Sequence, residues 1–333
     1  MNAAAFLPRG GVSPRGTLLR GQSIIEYVLI VAVIGLVIVF AGPGVAGAIR
    51  NQFHLVGNTV NGGTTGGAEG GASGGGSTGA DSAAVQAAIA KDAKDWTLDE
   101  QKAAATDIAK NGTSSVVYAK AKAAMDAGTK FSMKLTDGKM LEYRIIGINH
   151  DDLADGSGKA GLTFLTTSTG IESRMNATAT NVGGWEASEL RAKMNSGEIW
   201  NLMPSDFQSK VKPVRKLTNN VSGTDKNAAV TATSDKLFLL SYSEIVPTSH
   251  WASDCPWTSS EGFQYEAFKG KVTNNYNSNS AIAIDGIWWE RSVDPHPYLS
   301  DYFLIVTSSG DATGSGTHGI VTLSNCVCPA WCF

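Results

Sequence analysis

The sequence predicts an α+β protein in which an N-terminal transmembrane or pilin helix is joined through a flexible glycine-rich linker to a mixed C-terminal domain. Residues 22–49 carry one charged side chain, Glu26, and about 20 apolar residues are enough to cross a bilayer. Residues 57–79 contain 11 glycines in 23 positions, a composition typical of a flexible tether. Residues 129–333 hold 21 of the 27 aromatic side chains, so the folded domain is expected there.

The overall composition excludes several classes of protein. The chain has 333 residues, and its 27 Lys and Arg against 30 Asp and Glu give a formal net charge of −3, which argues against a nucleic-acid-binding protein. An apolar content of 42% is that of a soluble protein, not of one with many membrane spans. We therefore expect five segments: a basic leader at 1–21, the transmembrane or pilin helix at 22–50, the flexible linker at 51–80, an alanine-rich helical segment at 81–128 and the α+β surface domain at 129–333.

A short motif opens the apolar stretch directly after the basic leader. It reads Gly21-Gln22-Ser23-Ile24-Ile25-Glu26-Tyr27 and resembles the type IV prepilin cleavage motif, above all that of the Flp subfamily of Tad-type pili. The resemblance implies that a prepilin peptidase cuts after Gly21, so that the mature chain begins at Gln22. It also implies an assembly role for the Glu26-Tyr27 pair, in which Glu26 meets the N-terminal ammonium of a neighbouring pilin subunit. A carboxylate in an apolar membrane helix is costly without such a partner.

The leader contains three arginines and no acidic residue, which places the N-terminus on the cytoplasmic side. We expect a single-pass protein of the cell membrane with its C-terminus outside, and a cell-surface or pilus location after assembly. Two alternatives stay open. The apolar stretch could be a plain anchor, or a secretory signal cleaved near the small residues Val45-Ala46-Gly47-Ala48.

Three helices are predicted in the alanine-rich segment. Asp81 or Ser82 caps the first, which runs to about Lys94. Thr97 and Glu100 form a capping box for the second, which ends at Gly112. A third begins at Thr113 or Ser114 and ends at Gly128. We expect these helices to pack on the following domain and not to form a separate one.

Strands and short helices are predicted after residue 129. Alternating apolar residues on both sides of Asp137-Gly138 indicate a β-hairpin over 131–148. Further strands are predicted at Leu162–Thr167, Lys236–Leu240, Tyr302–Thr307 and Gly319–Leu323, and helices at Glu186–Asn195 and Ser205–Val211. Short strands with few helices favour an α+β arrangement.

Four stretches of this region carry a second resemblance. They are Gly183–Arg191, Asp235–Ser241, Gly286–Ser292 and Val327–Trp331. Together they resemble a domain of unknown function that is common in surface and secreted proteins of anaerobic bacteria, and the pattern is similar to the sulfatase-modifying-factor branch of the C-type-lectin-like fold. The resemblance implies a lectin-like surface domain over 129–333. It transfers no catalytic residue, and Cys328 stands where an arginine is usual.

The four cysteines, Cys255, Cys326, Cys328 and Cys332, form an even set in a segment expected to be exported. Two disulfides are the expected arrangement. Cys326 and Cys328 are too close in sequence to bond without strain, so Cys255 is expected to bond one of the C-terminal three, for example Cys328 if Cys326 bonds Cys332. A zinc site and free thiols are the alternatives, although this spacing is not a common zinc motif.

Two further groups are candidates for ligand binding. Trp251, Trp257, Trp288 and Trp289 could form a platform on which a sugar stacks, although such side chains also fill a core without any ligand. His150, Asp151 and Asp152 could ligate a metal, but a solvated loop is the expected reading of this run. The pattern Gly-x-Ser-x-Gly occurs only within the glycine-rich residues 57–79, without the flanking strand and helix of a nucleophile elbow, and the sequence contains no phosphate-binding loop.

The expected function is therefore structural and adhesive, with no catalytic residue, metal or cofactor. The N-terminal helix polymerises or anchors the protein, and the C-terminal domain binds a surface glycan or protein. Its expected partners are other pilin subunits, the prepilin peptidase and the membrane. A membrane-anchored enzyme and a secreted binding module are the alternatives.

Overall fold

The computed structural model describes residues 82–221, 229–248, 256–274, 277–294 and 299–333, all within one of two compact units of the chain, residues 68–333. Helices and strands are mixed here, but none of the described helices is long and apolar enough to cross a membrane. The longest has 14 residues and mixes charged with apolar side chains, whereas a span needs about 20 apolar residues. The predicted fold class, with its transmembrane or pilin helix, is therefore corrected to a mixed α/β fold. Residues 1–81, on which the leader, that helix and the linker were predicted, lie outside the described part.

The α-helices of the described residues are short. They are α1 (Ala83–Ala90), α2 (Leu98–Asn111), α3 (Tyr118–Ala127), α4 (Gly184–Ala187), α5 (Glu189–Asn195), α6 (Glu198–Leu202), α7 (Ser205–Gln208) and α8 (Tyr242–Ile245).

The strands form three sheets. They are β1 (Lys130–Lys134), β2 (Met140–Ile148), β3 (Leu162–Thr166), β4 (Glu172–Ser173), β5 (Val214–Asn219), β6 (Val230–Asp235), β7 (Trp288–Val293), β8 (Tyr302–Val306), β9 (Ala312–Ile320), β10 (Asn325–Cys326) and β11 (Ala330–Cys332). An antiparallel four-stranded sheet has the order β1-β2-β3-β11, and a five-stranded sheet has the order β4-β10-β7-β8-β9. In the second sheet β10 and β7 run parallel. Strands β5 and β6 pair as a separate antiparallel hairpin.

Two local sequence signals are confirmed. The side chain of Thr97 accepts a hydrogen bond from the Glu100 N–H while the Glu100 carboxylate accepts one from the Thr97 N–H, and the helix they open ends at Gly112. Strands β1 and β2 pair around the Asp137-Gly138 turn, where Gly138 has a φ of +89° that a residue with a side chain rarely adopts.

Helix α2 packs closely on the four-stranded sheet. At Gly161, just before β3, a Cβ atom would lie 1.8 Å from the Ala105 carbonyl oxygen, so only glycine permits this approach. The Tyr143 hydroxyl on β2 donates to the Gln101 side chain on α2. The helices before residue 129 therefore share a core with the strands that follow.

An aromatic cluster fills that core. The Trp331 ring on β11 lies 4.8 Å from the Tyr143 ring and 5.1 Å from the Phe207 ring, measured between centroids. Edge-to-face and tilted contacts of this kind add stability beyond the burial of area.

Several predicted elements differ from the structure. Lys236–Leu240 is not a strand: residues 237–240 are buried, but within this segment only Phe238 makes a bridge, an isolated one to Ala330. The helix predicted over Glu186–Asn195 is divided at Ser188, whose side chain caps α5. Strand β7 was not predicted, because all six of its residues are buried and its sequence Trp-Trp-Glu-Arg-Ser-Val shows no alternation of apolar and polar positions.

Candidate functional site

A pocket of about 130 Å³ lies between the four-stranded sheet and the segment 280–284. Arg144 enters its lining from β2, and Thr166 and Thr167 come from the end of β3. The opposite wall is formed by residues Ser280–Ile284. Pockets that bind small molecules generally combine an apolar lining with a few such polar groups.

Arg144 supplies a positive charge without a counter-charge. Its Nη2 donates to the Ala281 carbonyl oxygen, and its guanidinium lies over the Phe268 ring, 5.6 Å from the centroid. Its Nε is buried without a hydrogen-bond partner in the described part of the chain. No acidic side chain there forms a salt bridge with it, and burial lowers the pKa of Arg144. A half-buried cation in this setting would gain from an anionic ligand.

Neutral polar groups lie beside the cation. The Thr166 hydroxyl donates to the Pro329 carbonyl oxygen, whereas the Thr167 hydroxyl is buried without a partner among the described residues. Unpaired buried polar atoms cost free energy, so two of them in the lining of one pocket favour a polar ligand that would satisfy them.

The rim of the pocket carries Gly128 and Lys130. Gly128 ends α3 in the left-handed conformation, and a Cβ there would lie 3.6 Å from Arg144 Nη1. Lys130 is exposed and pairs with Glu142 across the hairpin at 2.7 Å. The charge that Lys130 brings to the rim is therefore already balanced, and Arg144 is the cation that a ligand would meet.

The tryptophan platform predicted from the sequence is not formed by the described residues. Trp257, Trp288 and Trp289 are at most 5% exposed, so their faces are not open to a sugar. The Trp289 indole donates to the Ser173 carbonyl oxygen. Trp288 is part of the pocket lining. Its indole donates to the Ile282 carbonyl oxygen and so holds the wall formed by residues 280–284 in place. Trp251 lies outside the described residues.

A network of buried charges lies outside the pocket. Lys216 on β5 donates from Nζ to Asp151 Oδ1 at 2.7 Å and to Glu244 Oε1 at 2.5 Å. All three side chains are at most 3% exposed. The network joins the loop after β2 to β5 and to α8.

Arg291 on β7 extends the network from the other side of Glu244. Its Nη1 and Nη2 donate to the two oxygens of Glu244 at 2.5 and 3.0 Å. The remaining N–H groups donate to the carbonyl oxygens of Leu217, Leu239 and Glu261. Every donor of this buried guanidinium is thus used, as burial of a charge requires.

The neighbouring charges decide which groups of the network are ionised. Burial alone would raise the pKa of Asp151, but the Lys216 ammonium lowers it well below its ordinary value. Burial alone would likewise lower the pKa of Lys216, but the carboxylates of Asp151 and Glu244 raise it. The resting state of the pair is therefore ionic.

Two further buried carboxyls lie close to Arg291. Burial raises the pKa of Glu261 to about 7, although its oxygens accept hydrogen bonds from the Asn219 N–H and the Ser292 hydroxyl. Burial, and then the charge of Glu261, raise the pKa of Glu290 well above its ordinary value. Both Glu290 oxygens are without a hydrogen-bond partner among the described residues, so no hydrogen bond there offsets the cost of ionising this buried carboxyl.

The structure describes three of the four cysteines, and it joins none of these three to another: Cys326, Cys328 and Cys332 are buried free cysteines. Cys255 lies outside the described residues, so the expected disulfide to Cys255 stays a prediction. Cys326 belongs to β10 in the five-stranded sheet and Cys332 to β11 in the four-stranded sheet, so the two are held in different sheets. Burial raises the pKa of the Cys328 and Cys332 thiols well above the ordinary value.

The run His150-Asp151-Asp152 is not a solvated loop as expected. His150 and Asp151 are buried, and only Asp152 is exposed. The His150 ring stacks on Tyr265 with 3.9 Å between centroids, and its Nδ1 lies 3.2 Å from Glu266. Across the described ranges, no group of three or more His, Cys, Asp or Glu side chains is placed to hold a metal ion.

The predicted processing and assembly residues Gly21, Gln22, Glu26 and Tyr27 lie outside the described residues, so the structure places none of them. Sequence reasoning missed Arg144, Lys216, Glu244 and Arg291. Arg144 is one polar residue in an alternating strand, and the other three are brought together from distant parts of the chain. The three apolar residues Ile287-Trp288-Trp289 directly before the Glu290-Arg291 pair were the available signal of buried charge.

Comparison with known families gives one match. A family model described as a domain of unknown function, DUF6273, matches residues 160–331, just over half of the chain. No curated protein and no solved structure matches the chain. The matched segment contains Lys216, Glu244 and Arg291, whereas Arg144 and Asp151 precede it.

Proposed function

Because the chain belongs to the DUF6273 family, which is defined by a domain of unknown function, we propose a function from the pocket itself. The protein is a non-catalytic surface protein whose folded domain binds an acidic sugar of a surface glycan at Arg144. The uncompensated charge of Arg144 in the pocket lining is the observation that carries this proposal.

The ligand class follows from the chemistry of the lining. A carboxylate is the natural partner of a guanidinium, because the hydrogen bonds between them are charge-assisted. The hydroxyls of Thr167 and Ser280 in the same lining suit the hydroxyl groups of a sugar. The pocket is small, about 130 Å³, so the proposed occupant is a single acidic sugar unit and not a chain of several units.

Display at the cell surface is supported by the N-terminal motif. The stretch Gly21–Tyr27 resembles a Flp-type prepilin cleavage motif, and the glycine-rich residues 57–79 have the composition of a tether. Our proposal includes cleavage after Gly21 by a prepilin peptidase and contact with other pilin subunits through Glu26 and Tyr27. The folded domain is then carried away from the site of attachment.

Titration calorimetry on the full chain tests the ligand class. Glucuronate and galacturonate are compared with glucose and galactose, which lack the carboxylate. The proposal expects heat of binding from at least one acidic sugar and none from its neutral counterpart. Equal binding of the acidic and neutral sugars, or no binding of either acidic sugar, contradicts it.

Mass spectrometry of the N-terminus of the protein isolated from its own cells tests the display. A mature chain that begins at Gln22 supports cleavage of the pilin type. A chain that begins near Gly47 or Ile49 shows a secretory signal instead, and an uncut Met1 contradicts processing altogether.

A further inference from the structure

Three side chains of the buried network have the complementary chemistry of an amine, an acid and a base. Lys216 Nζ contacts Asp151 Oδ1 at 2.7 Å and Glu244 Oε1 at 2.5 Å. The ammonium also lies over the Phe238 ring, 4.3 Å from the centroid. These side chains are shielded from bulk water. Lys216 and Asp151 are therefore held in contact in one fixed arrangement, which favours a reaction between them.

We propose that Lys216 and Asp151 condense autocatalytically into an isopeptide bond inside the folded domain, with Glu244 as the catalytic proton carrier. This modification is independent of the proposed ligand and of the N-terminal processing. It assigns a covalent role to a network that otherwise looks like an ordinary set of buried ion pairs.

The atoms balance without an oxidant or a co-reactant. One ammonium proton of Lys216 passes to Asp151, which gives a neutral amine and a neutral carboxylic acid. The Nζ lone pair forms a bond to Asp151 Cγ, and Glu244 takes a second proton from the nitrogen. Glu244 then returns that proton to the departing Asp151 hydroxyl, the Cγ–O bond breaks, and one water leaves. The third proton remains on the amide nitrogen.

The surroundings of Asp151 stabilise the charge that develops on its oxygens. The Tyr265 hydroxyl lies 2.9 Å from both Asp151 oxygens, and the Thr163 hydroxyl donates to Oδ2 at 2.6 Å. Fixed donors aimed at a developing oxyanion are the strongest single contribution to many acyl-transfer reactions.

Glu244 is kept ready as a base by its other neighbour. Burial alone would raise the pKa of Glu244, but Arg291 and Lys216 lower it, so the carboxylate is ionised before the reaction starts. Arg291 is a positioning residue, because its two contacts hold Glu244 against Lys216 and its other hydrogen bonds go to backbone carbonyl oxygens, not to Asp151.

A neighbouring ion pair is a built-in control. Lys159 Nζ lies 2.9 Å from Asp152 Oδ1, but these side chains are 46% and 62% exposed. Among the described residues, Lys159 otherwise donates only to the His150 carbonyl oxygen, and bulk water around this exposed pair favours the separated amine and acid. The chain thus contains one buried and one exposed Lys–Asp pair, and the two aspartates, Asp151 and Asp152, are adjacent in sequence.

Tryptic peptide mapping of the purified full chain tests the proposal directly. Trypsin releases residues 145–159 and, after an unmodified Lys216, residues 217–226. The proposal expects residues 145–159 joined to residues 216–226, because an acylated lysine is not cut, with a mass lower than the sum of the two by one water. Fragmentation should place the link at Asp151 and not at Asp152.

Recovery of the separate, unmodified peptides from folded protein after overnight incubation at neutral pH overturns the proposal. Two variants sharpen the result. Asp152→Asn should retain the link in full, whereas Glu244→Gln should reduce its yield at least tenfold in the fraction that remains folded by circular dichroism. A link that forms equally in folded Glu244→Gln protein contradicts the assigned role of Glu244.

Discussion

Arg291 and Glu244 form a fully buried bidentate ion pair, in which Nη1 lies 2.5 Å from Oε2 and Nη2 lies 3.0 Å from Oε1. The pair ties strand β7 of the five-stranded sheet to helix α8, and Lys216 extends it to β5 and the loop after β2. The charges alternate in the series Arg291–Glu244–Lys216–Asp151, so the removal of either inner member, Glu244 or Lys216, leaves the buried charge at that end of the series without its partner.

Glu244→Gln should therefore destabilise the protein strongly. Removal of one partner from a buried ion pair typically costs about 3–5 kcal/mol, and here the buried Arg291 guanidinium loses the carboxylate that it contacts with two hydrogen bonds. Urea unfolding followed by tryptophan fluorescence measures the free energy of unfolding.

Asp126→Asn is the matched control for Glu244→Gln, because it breaks an exposed pair with Lys122 on α3. Its unfolding midpoint should stay at the wild-type value, since exposed pairs contribute little. Equal shifts of the unfolding midpoint for Glu244→Gln and Asp126→Asn would show that the buried network stabilises the protein no more than an exposed ion pair does.

Glu261 should make the stability depend on pH in the acidic range. Its folded-state pKa of about 7 lies above the ordinary value of 4.5, so the folded state holds the proton more tightly than the unfolded state. The stability that the protonated Glu261 contributes is complete below about pH 4.5 and is lost as the pH rises through 7. The total loss in the free energy of unfolding is about 3 kcal/mol.

Glu261→Gln, which imitates the protonated carboxyl, should remove this dependence. Unfolding free energies of both proteins are measured between pH 4.5 and 8. The variant should gain stability over the wild type as the pH rises through 7. If the difference in unfolding free energy between Glu261→Gln and the wild type does not change with pH, the pKa of Glu261 is not raised in the folded state.

Gly161→Ala should weaken the contact between α2 and the four-stranded sheet. The added Cβ would lie 1.8 Å from the Ala105 carbonyl oxygen, so the helix must move, and overpacking of this kind costs about 1–3 kcal/mol. Gly170→Ala is the control, because nothing lies within 4 Å of the Cβ it would add. Equal thermal midpoints of the two variants would mean that α2 does not pack as described.

The cysteine thiols should be slow to react in the native protein. Cys326, Cys328 and Cys332 are buried, and burial raises the pKa of each, which suppresses the reactive thiolate. Iodoacetamide without reductant should leave all three unmodified in buffer and alkylate all three in concentrated urea. Disulfide-linked peptides from these cysteines in the urea sample would restore the sequence prediction.

Local chemistry made part of the fold predictable. The capping box at Thr97 and Glu100 and the turn at Asp137-Gly138 are determined by residues three or fewer apart, so their signals are contained in short windows. Lys236–Leu240 has the same apolar run as a buried strand but lies in an irregular segment, and periodicity alone does not separate the two.

The candidate sites were not predictable in the same way. Lys216 and Asp151 are 65 residues apart in the chain, and Arg291 is 47 residues from Glu244. Only the folded arrangement of three sheets brings them together. The placement of the tryptophans was not predictable either: Trp257, Trp288 and Trp289 are buried, but no sequence pattern distinguishes a stacking platform from a packed interior.

Binding of an acidic sugar by wild-type protein and by Arg144→Gln tests the central claim most directly. Lys134→Gln, which removes an exposed charge from β1, is the control. Titration calorimetry should show glucuronate or galacturonate binding to the wild type and to Lys134→Gln alike, and binding at least about tenfold weaker to Arg144→Gln, since a charged hydrogen bond contributes about 1.5–3 kcal/mol. Undiminished binding by Arg144→Gln would contradict the account.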